Sequence, residues 1–248
     1  MAEANQTYLR FPLDLDDEQQ GHLMKIDIYP SGSLLGSTPR NTSSVSSICL
    51  FIPGGGNGGP LQWEMVHDYD EVKLTKLGMG MIGGVTKTVA EAGLGAARLA
   101  GQGVINPKVD VLYSNSQLRR FMFSYFMSPS SAKENESMKA IIKSLRKYSC
   151  PELALGSGIN QQSALKSGFW FVPPAEFQIE FWYLNNGSWQ INPSLHKIGR
   201  CVLERIDVNY TQQGEFSTFV DGSPITVQLT MQFREMRIIS QQDVEIGY

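Results

Sequence analysis

"PITVQLTMQFREM", residues 224–236, decides the fold. Ile225, Val227, Leu229, Met231 and Phe233 alternate with Thr226, Gln228, Thr230, Gln232 and Arg234. Successive side chains of a strand point to opposite faces, so the pattern predicts one strand with a dry face and a polar face. Such a strand suits an antiparallel sheet with one face in water, because the strands of parallel sheets are buried on both faces. Val227, Leu229 and Met231 are therefore candidate core residues. Thr226, Gln228, Thr230 and Gln232 are candidates for the wet surface.

Other segments read as partners for this strand. "IGRCVLERIDVNY", residues 198–210, places Val202, Ile206 and Val208 on one side and Cys201 and Leu203 on the other. "EFQIEFWYL", residues 176–184, alternates Phe177, Ile179, Phe181 and Tyr183 against Gln178, Glu180 and Trp182, and runs into the turn signal "NNGS". "HLMKIDIY", residues 22–29, brings Met24, Ile26 and Ile28 to one face, and "ICLFIP", residues 48–53, is a short apolar strand stopped by proline. "VDVLY" (109–113) and "RRFMFSYFMS" (119–128) flank a polar link and read as a hairpin. The second arm carries Phe121, Phe123, Tyr125 and Met127 on one face and Met122 and Phe126 on the other, which predicts a central strand.

One principal helix follows. Ser131 stands three residues before Glu134, the spacing of a capping box in which each side chain satisfies a backbone donor of the first turn. Met138, Ile141, Ile142 and Leu145 recur at helical spacing, and Lys139, Lys143, Arg146 and Lys147 take the remaining surface until Pro151 limits the helix. The apolar stripe is expected to pack with Phe121 and Phe123 in one helix-on-sheet core. The basic face reads as solvated surface or, more sharply, as contact for an acidic partner. The whole is an α+β, mostly antiparallel domain.

Three regions are expected: an N-terminal arm with the first strands (1–53), a Gly-rich loop and Gly/Ala-rich insertion (54–106), and the core (107–248). The insertion "LGMGMIGGVTKTVAEAGLGAARLAGQGVIN", residues 77–106, is broken by Lys87, Glu91 and Arg98 and is no membrane span. Interior glycines weaken any helix there, so it and the arm before His22 are expected to order on assembly.

Composition narrows the function classes. The chain has 248 residues, 42% hydrophobic and 18% charged, enough for a sizeable core. A formal net charge of -3 disfavours a protein that grips nucleic acid through phosphates. Cys49, Cys150 and Cys201 are scattered and suggest neither a zinc site nor a disulfide framework, in keeping with a reducing compartment. The first twenty residues show no basic segment followed by an apolar run, so no signal peptide is expected.

Chemistry-bearing motifs are sparse. "GGGNGGP" (54–60) lacks the following helix and Lys-hydroxyl pair of a phosphate loop and reads as a connector. His67, Asp68 and Asp70 are too close in sequence to converge on a metal, and "DLDDE" (14–18) lacks the glycine and distal glutamate of a calcium loop. His22, His67 and His196 lie outside any nucleophile-elbow pattern. A carboxylate pair such as Glu180 with Glu204 would be assembled only in space, which leaves a β-rich ligand-binding or hydrolytic domain, with a pocket between sheets, as the alternative function. No catalytic group, cofactor or metal is expected.

Taken in order, these segments resemble the baseplate tail-tube proteins of T4-like contractile-tailed bacteriophages. The resemblance rests on the aromatic strand Phe121 to Met127, the Pro-Ser break at Pro129 to Ser131, Glu134 on the first helical turn and the pair Ile141 and Ile142. The closing strand adds Phe233, Arg234 and Glu235 before a short tail, and the match covers about residues 105–248. Tail-tube cap and tube initiator are the two types it is similar to. The resemblance implies two packed antiparallel sheets, a half-barrel with one flanking helix, six copies of which close into a hexameric ring around a lumen. It further implies a structural virion protein of the tail baseplate, assembled in the host cytoplasm, joining the central hub to the tail tube and capping or initiating tube polymerisation. Hub and tail-tube proteins would be its partners, with tube initiator, sheath or wedge proteins as further neighbours and no membrane anchor. DNA would pass the lumen without specific binding, along Thr226, Gln228, Thr230 and Gln232.

Overall fold

The computed structural model describes residues 7–15, 21–31, 43–53, 61, 64–73, 109–153, 171–211 and 214–248. The chain divides into two compact units, Met1–Glu64 with Leu118–Tyr248, and Met65–Gln117. The larger unit is β-rich, built on one mostly antiparallel eight-stranded sheet and one principal helix. Its strands are β1 (Thr7–Phe11), β2 (His22–Tyr29), β3 (Ser46–Leu50), β6 (Arg120–Met127), β9 (Glu176–Asn185), β10 (Ser188–Ile191), β11 (Cys201–Asn209) and β12 (Val227–Glu235). The spatial order is β1-β3-β2-β9-β11-β12-β6, with β10 added on β9. A two-residue pair β7 (Glu152–Leu153) and β8 (Phe171–Val172) lies apart from this sheet. The smaller unit is an antiparallel pair of β4 (His67–Lys73) and β5 (Val109–Ser116).

The dry face of β12 is as the alternation predicts. Val227, Leu229, Met231 and Phe233 are all buried, and β12 pairs with β6 in unbroken register from Val227↔Met127 to Arg234↔Arg120. Phe121, Phe123, Tyr125 and Met127 of β6 are buried on the same side. The sheet is continuous through a single pair, Cys201↔Phe177, between β9 and β11. From that joint its two halves face one another: the Tyr125 hydroxyl donates to Met24 Sδ at 3.5 Å, and the Tyr125 ring meets Phe51 edge-on at 5.2 Å. The two sheets implied by the resemblance are thus one sheet, joined where the fold turns.

Helix α1 (Ala132–Ser149) packs by Met138, Ile141, Ile142 and Leu145, all buried in the cluster that holds Phe121 and Phe123. Fully burying a side chain of this size stabilises by about 1.5–3 kcal/mol. The N-terminus departs from the expected capping box. Ser131 Oγ accepts from the Glu134 amide at 3.2 Å, but the Glu134 carboxylate accepts from Ser130 N at 2.7 Å and from Leu13 N at 3.4 Å. It therefore ties the helix to the N-terminal segment. The Ser130 amide and, after it, the opposing cost of burial and the Ser130 hydroxyl leave the Glu134 carboxyl below its ordinary range. Ser137 Oγ donates to Arg10 O at 2.5 Å, a second tie to β1.

Four expectations are corrected. The segment before His22 is not all arm, because β1 pairs in parallel with β3 and Leu15 is fully buried. The pair 109–113 and 119–128 forms no hairpin: β5 pairs with β4 in the smaller unit, while β6 pairs with β12. Residues 109–117 lie in the smaller unit. Among the described residues β6 is an edge strand, not a central one, and Met122 and Phe126 on its second face are exposed. Finally, β11 changes phase at a bulge between Leu203 and Arg205, so Cys201, Leu203, Ile206 and Val208 share the core side instead of splitting as the sequence suggests. The insertion 77–106 and the Gly-rich loop 54–60 lie outside the described residues.

Candidate functional site

The face of the sheet turned away from the main core carries the candidate residues. Gln228, Thr230 and Gln232 alternate with the buried positions of β12 and are half-buried, and Thr226 just precedes the strand. Cross-strand bonds knit the row to β6: Ser124 Oγ lies 3.2 Å from Thr230 Oγ1, and Gln228 Nε2 donates to Ser124 Oγ at 3.3 Å. At one end of the row the bulged Glu204 forms ion pairs with Arg234 at 3.1 Å and with Arg120 at 3.4 Å. Arg205 and Asp207 pair at 2.7 Å beside it. The extra residue of the bulge is what turns Glu204 toward two arginines.

Farther along, β2, β3 and β9 carry a second polar group. Lys25 Nζ is 2.8 Å from Asp27, whose carboxylate also accepts from Ser47 Oγ. Burial works to lower the Lys25 pKa, but the hydrogen bond and charge of Asp27 outweigh it and hold the amine above its usual value. Trp182 Nε1 donates to Glu180 at 3.0 Å, and Lys25 sits 5.5 Å from the Trp182 ring centre. On this face Lys25, Arg120, Arg205 and Arg234 are thus each paired with a carboxylate, that of Asp27, Glu204 or Asp207. The face is not uniformly wet, since Leu15, Leu23 and Cys49 form a small apolar cluster with Phe51, Trp182 and Trp189.

One polar site escapes sequence reasoning. Glu235 continues the dry side of β12 yet is 1% exposed. Arg119 answers it with two bonds, Nε to Oε2 at 2.7 Å and a terminal nitrogen to Oε1 at 2.8 Å, and the Gly199 amide donates to Oε1 at 2.7 Å. A Cβ at Gly199 would stand 3.1 Å from that oxygen, so the close approach favours glycine. A paired, multiply bonded carboxylate is the condition under which a buried charge is tolerated. The partners are 116 positions apart, and no local spacing marks them. His196 stacks on Phe121 at 5.8 Å and meets Phe181 edge-on at 5.5 Å. Burial, then the Arg119 charge, push its pKa below the ordinary value, with Glu235 opposing.

The residues that could carry chemistry do not converge. Glu180 and Glu204, the carboxylates that would make a glycosidase pair, are held separately by Trp182 and by the two arginines. His67 Nδ1 lies 2.7 Å from Ser116 Oγ, and Asp68 accepts from Gln117 at 3.1 Å, in the β4–β5 pair. Among the described residues there is no group of three or more His, Cys, Asp or Glu fit to hold a metal ion. The three cysteines are free, and burial pushes the Cys201 thiol far above its ordinary pKa, leaving it a packing group. Tyr125, Phe121, Phe123, Phe177 and Phe233 occupy the space between the two halves of the sheet, where the alternative reading would need a pocket. No protein-family model matches the chain, and no curated protein matches it.

Proposed function

We propose that the chain is a structural virion protein of a contractile-tailed phage. It forms a hexameric ring in the tail baseplate, joins the central hub to the tail tube and caps or initiates tube polymerisation. The tail-tube cap is the type we favour and the tube initiator the near alternative. The observation that carries this reading is the β12–β6 face: a row of neutral polar side chains ending at an edge strand whose outer residues, Met122 and Phe126, are 44% and 47% exposed.

An edge strand offers a line of backbone donors and acceptors to another chain. Pairing of β6 with a strand of the next copy would extend the polar row into a wall and cover both side chains. A confined, strongly charged polyanion passes such a wall most freely when it is polar and carries no excess of cations. The pairing of Lys25, Arg120, Arg205 and Arg234 with Asp27, Glu204 and Asp207 fits that requirement. In this reading the protein is no enzyme, takes no cofactor and does its work in the virion after assembly in the host cytoplasm. Hub and tail-tube proteins are its main partners, with sheath or wedge proteins as further neighbours.

The test is co-expression of the full chain with the tube protein of the same virus, followed by mass photometry and electron cryo-microscopy. A six-fold ring at one end of the tube is expected. A chain that stays monomeric at every concentration and leaves no density at the tube end would sink the proposal.

A further inference from the structure

Outside the polar face, a groove of about 620 Å³ runs along helix α1. Met138, Ile142, Phe216 and Pro224 give it an apolar floor and wall. Lys139, Lys143, Arg146 and Lys147 stand on its helix side, and no carboxylate among the described residues lines it. The opposite wall is a structured arm between β11 and β12, closed by the bridge Thr218↔Pro224 and by Phe219 N to Ser223 O at 2.8 Å. Lys139 Nζ donates to Ser223 Oγ at 2.7 Å and fixes the arm to the helix. Phe216, 60% exposed, therefore offers its ring to the groove from a defined position.

Of the remaining cations, one contacts an aromatic ring and two form no ion pair among the described residues. Among the described residues Lys143 and Arg146 make no ion pair, and Lys147 rests 5.0 Å from the ring of its neighbour Tyr148. Lys143 lies three and four positions from Arg146 and Lys147 and four from Lys139, so all three neighbours repel it on the helix surface. Proximity to the helix C-terminus offsets this only for the last turn. We infer that the groove is a docking site for an acidic, amphipathic segment of a partner protein, its apolar side chains seated on Met138, Ile142 and Phe216 and its carboxylates facing Lys143, Arg146 and Lys147.

The chain's own segments do not suit the groove. Residues 32–42, 54–60 and 154–170 carry no carboxylate, residues 1–6 carry Glu3 alone, residues 16–20 carry acids without an apolar side chain, and residues 74–108 have four Lys or Arg against one Glu. A nucleic acid would meet the cations and could stack a base on Phe216 or Tyr210, but the aliphatic side chains of Met138 and Ile142 offer it no comparable partner. A separate protein segment with both features is the complement that uses the whole groove.

The probe is a fluorescein-labelled peptide of about twelve residues with leucine and phenylalanine anchors at i, i+4 and i+7 and glutamates between them. Titrated with the full chain at low salt, it should bind with a Kd on the order of 10–100 μM. The triple variant Lys143→Glu, Arg146→Glu, Lys147→Glu should weaken it at least about tenfold, as should Phe216→Ser, with the circular dichroism spectrum unchanged. Four outcomes overturn the inference: no binding up to about 1 mM, equal binding of a peptide with glutamine for every glutamate, tighter binding of a single-stranded oligonucleotide of matched charge, or concentration-dependent self-association abolished by the triple variant, which would make the occupant a second copy.

Discussion

The β12–β6 and β4–β5 ladders are both antiparallel pairs of similar length, and they differ in what lies behind them. β12 and β6 keep one register from end to end and bury every second side chain. β4 and β5 slip register between Asp68 and Tyr69, and Val111, Leu112 and Tyr113 on three successive positions of β5 are all exposed. The backbone bonds are of the same kind. What separates the ladders is a second layer: β12 and β6 have the helix and the far half of the sheet to fill one face, and a one-residue slip there would move the whole apolar set to the wrong side. Register is held by the dry face more than by the ladder.

The largest way to break the first ladder is at its buried charge. Glu235→Ala leaves Arg119 buried and unpaired and should cost about 3–5 kcal/mol in urea denaturation. Replacing both partners by apolar residues, as in Arg119→Met with Glu235→Leu, should recover most of the loss, and failure to recover would show that the Gly199 contact matters more than the pair. Next, Leu229→Ala on β12 or Leu145→Ala on the helix should cost about 2–5 kcal/mol. A loss below about 0.5 kcal/mol at Leu145 would mean that the helix stripe is not seated in the core.

The polar side of the same ladder sharpens the contrast under the proposed function. Gln228→Lys with Thr230→Lys leaves Val227, Leu229 and Met231 untouched, so subunits should fold and rings assemble while genome delivery, read as infectivity, falls. Misfolded subunits would instead show that this face is packed in the assembly. His196 gives a smaller, pH-dependent effect. Its folded pKa lies below the ordinary 6.5, so the native state favours the neutral ring. That stability is present above pH 6.5 and is lost as the pH falls through 6.5 toward the folded pKa. The melting temperature should fall over that window, and His196→Gln should flatten the slope. An unchanged slope would assign the dependence to other groups. The smallest effect belongs to the second ladder: Leu112→Ala should change stability by less than about 0.5 kcal/mol, and a larger loss would reveal burial in the assembled state.

Where the chain follows a strict period, the sequence was enough to place it. β12, β2, β9 and the helix stripe Met138 to Leu145 emerge from periodicity because one face of each meets a continuous core. The turn signal after β9 holds as well, since Asn186 and Gly187 take φ values of 50° and 79°, the conformation an Asn-Gly pair supplies in a two-residue loop, but the strand β10 that it leads into was not foreseen. Strand β11 misleads, because the bulge adds one residue and inverts the phase; its trace is the odd gap between Leu203 and Ile206. β5 misleads because a local turn is the cheapest guess, whereas β6 is claimed by β12 from more than a hundred residues away. Of the candidate face, the row Gln228 to Gln232 was legible and the clamps around Glu204 and Glu235 were not, for both are made by tertiary pairing alone.

The joint Cys201↔Phe177 has a mechanical meaning. Where two halves of a sheet share a full ladder, the angle between them is set by backbone twist. Here the ladder narrows to one residue pair, and the rings of Phe177 and Phe233, 5.5 Å apart, fill the inside of the bend. The opening angle becomes a matter of side-chain volume, like a wedge in a hinge. Trimming either ring would tilt one leaf against the other, and any surface made by repeating the subunit would inherit that tilt as a change of radius.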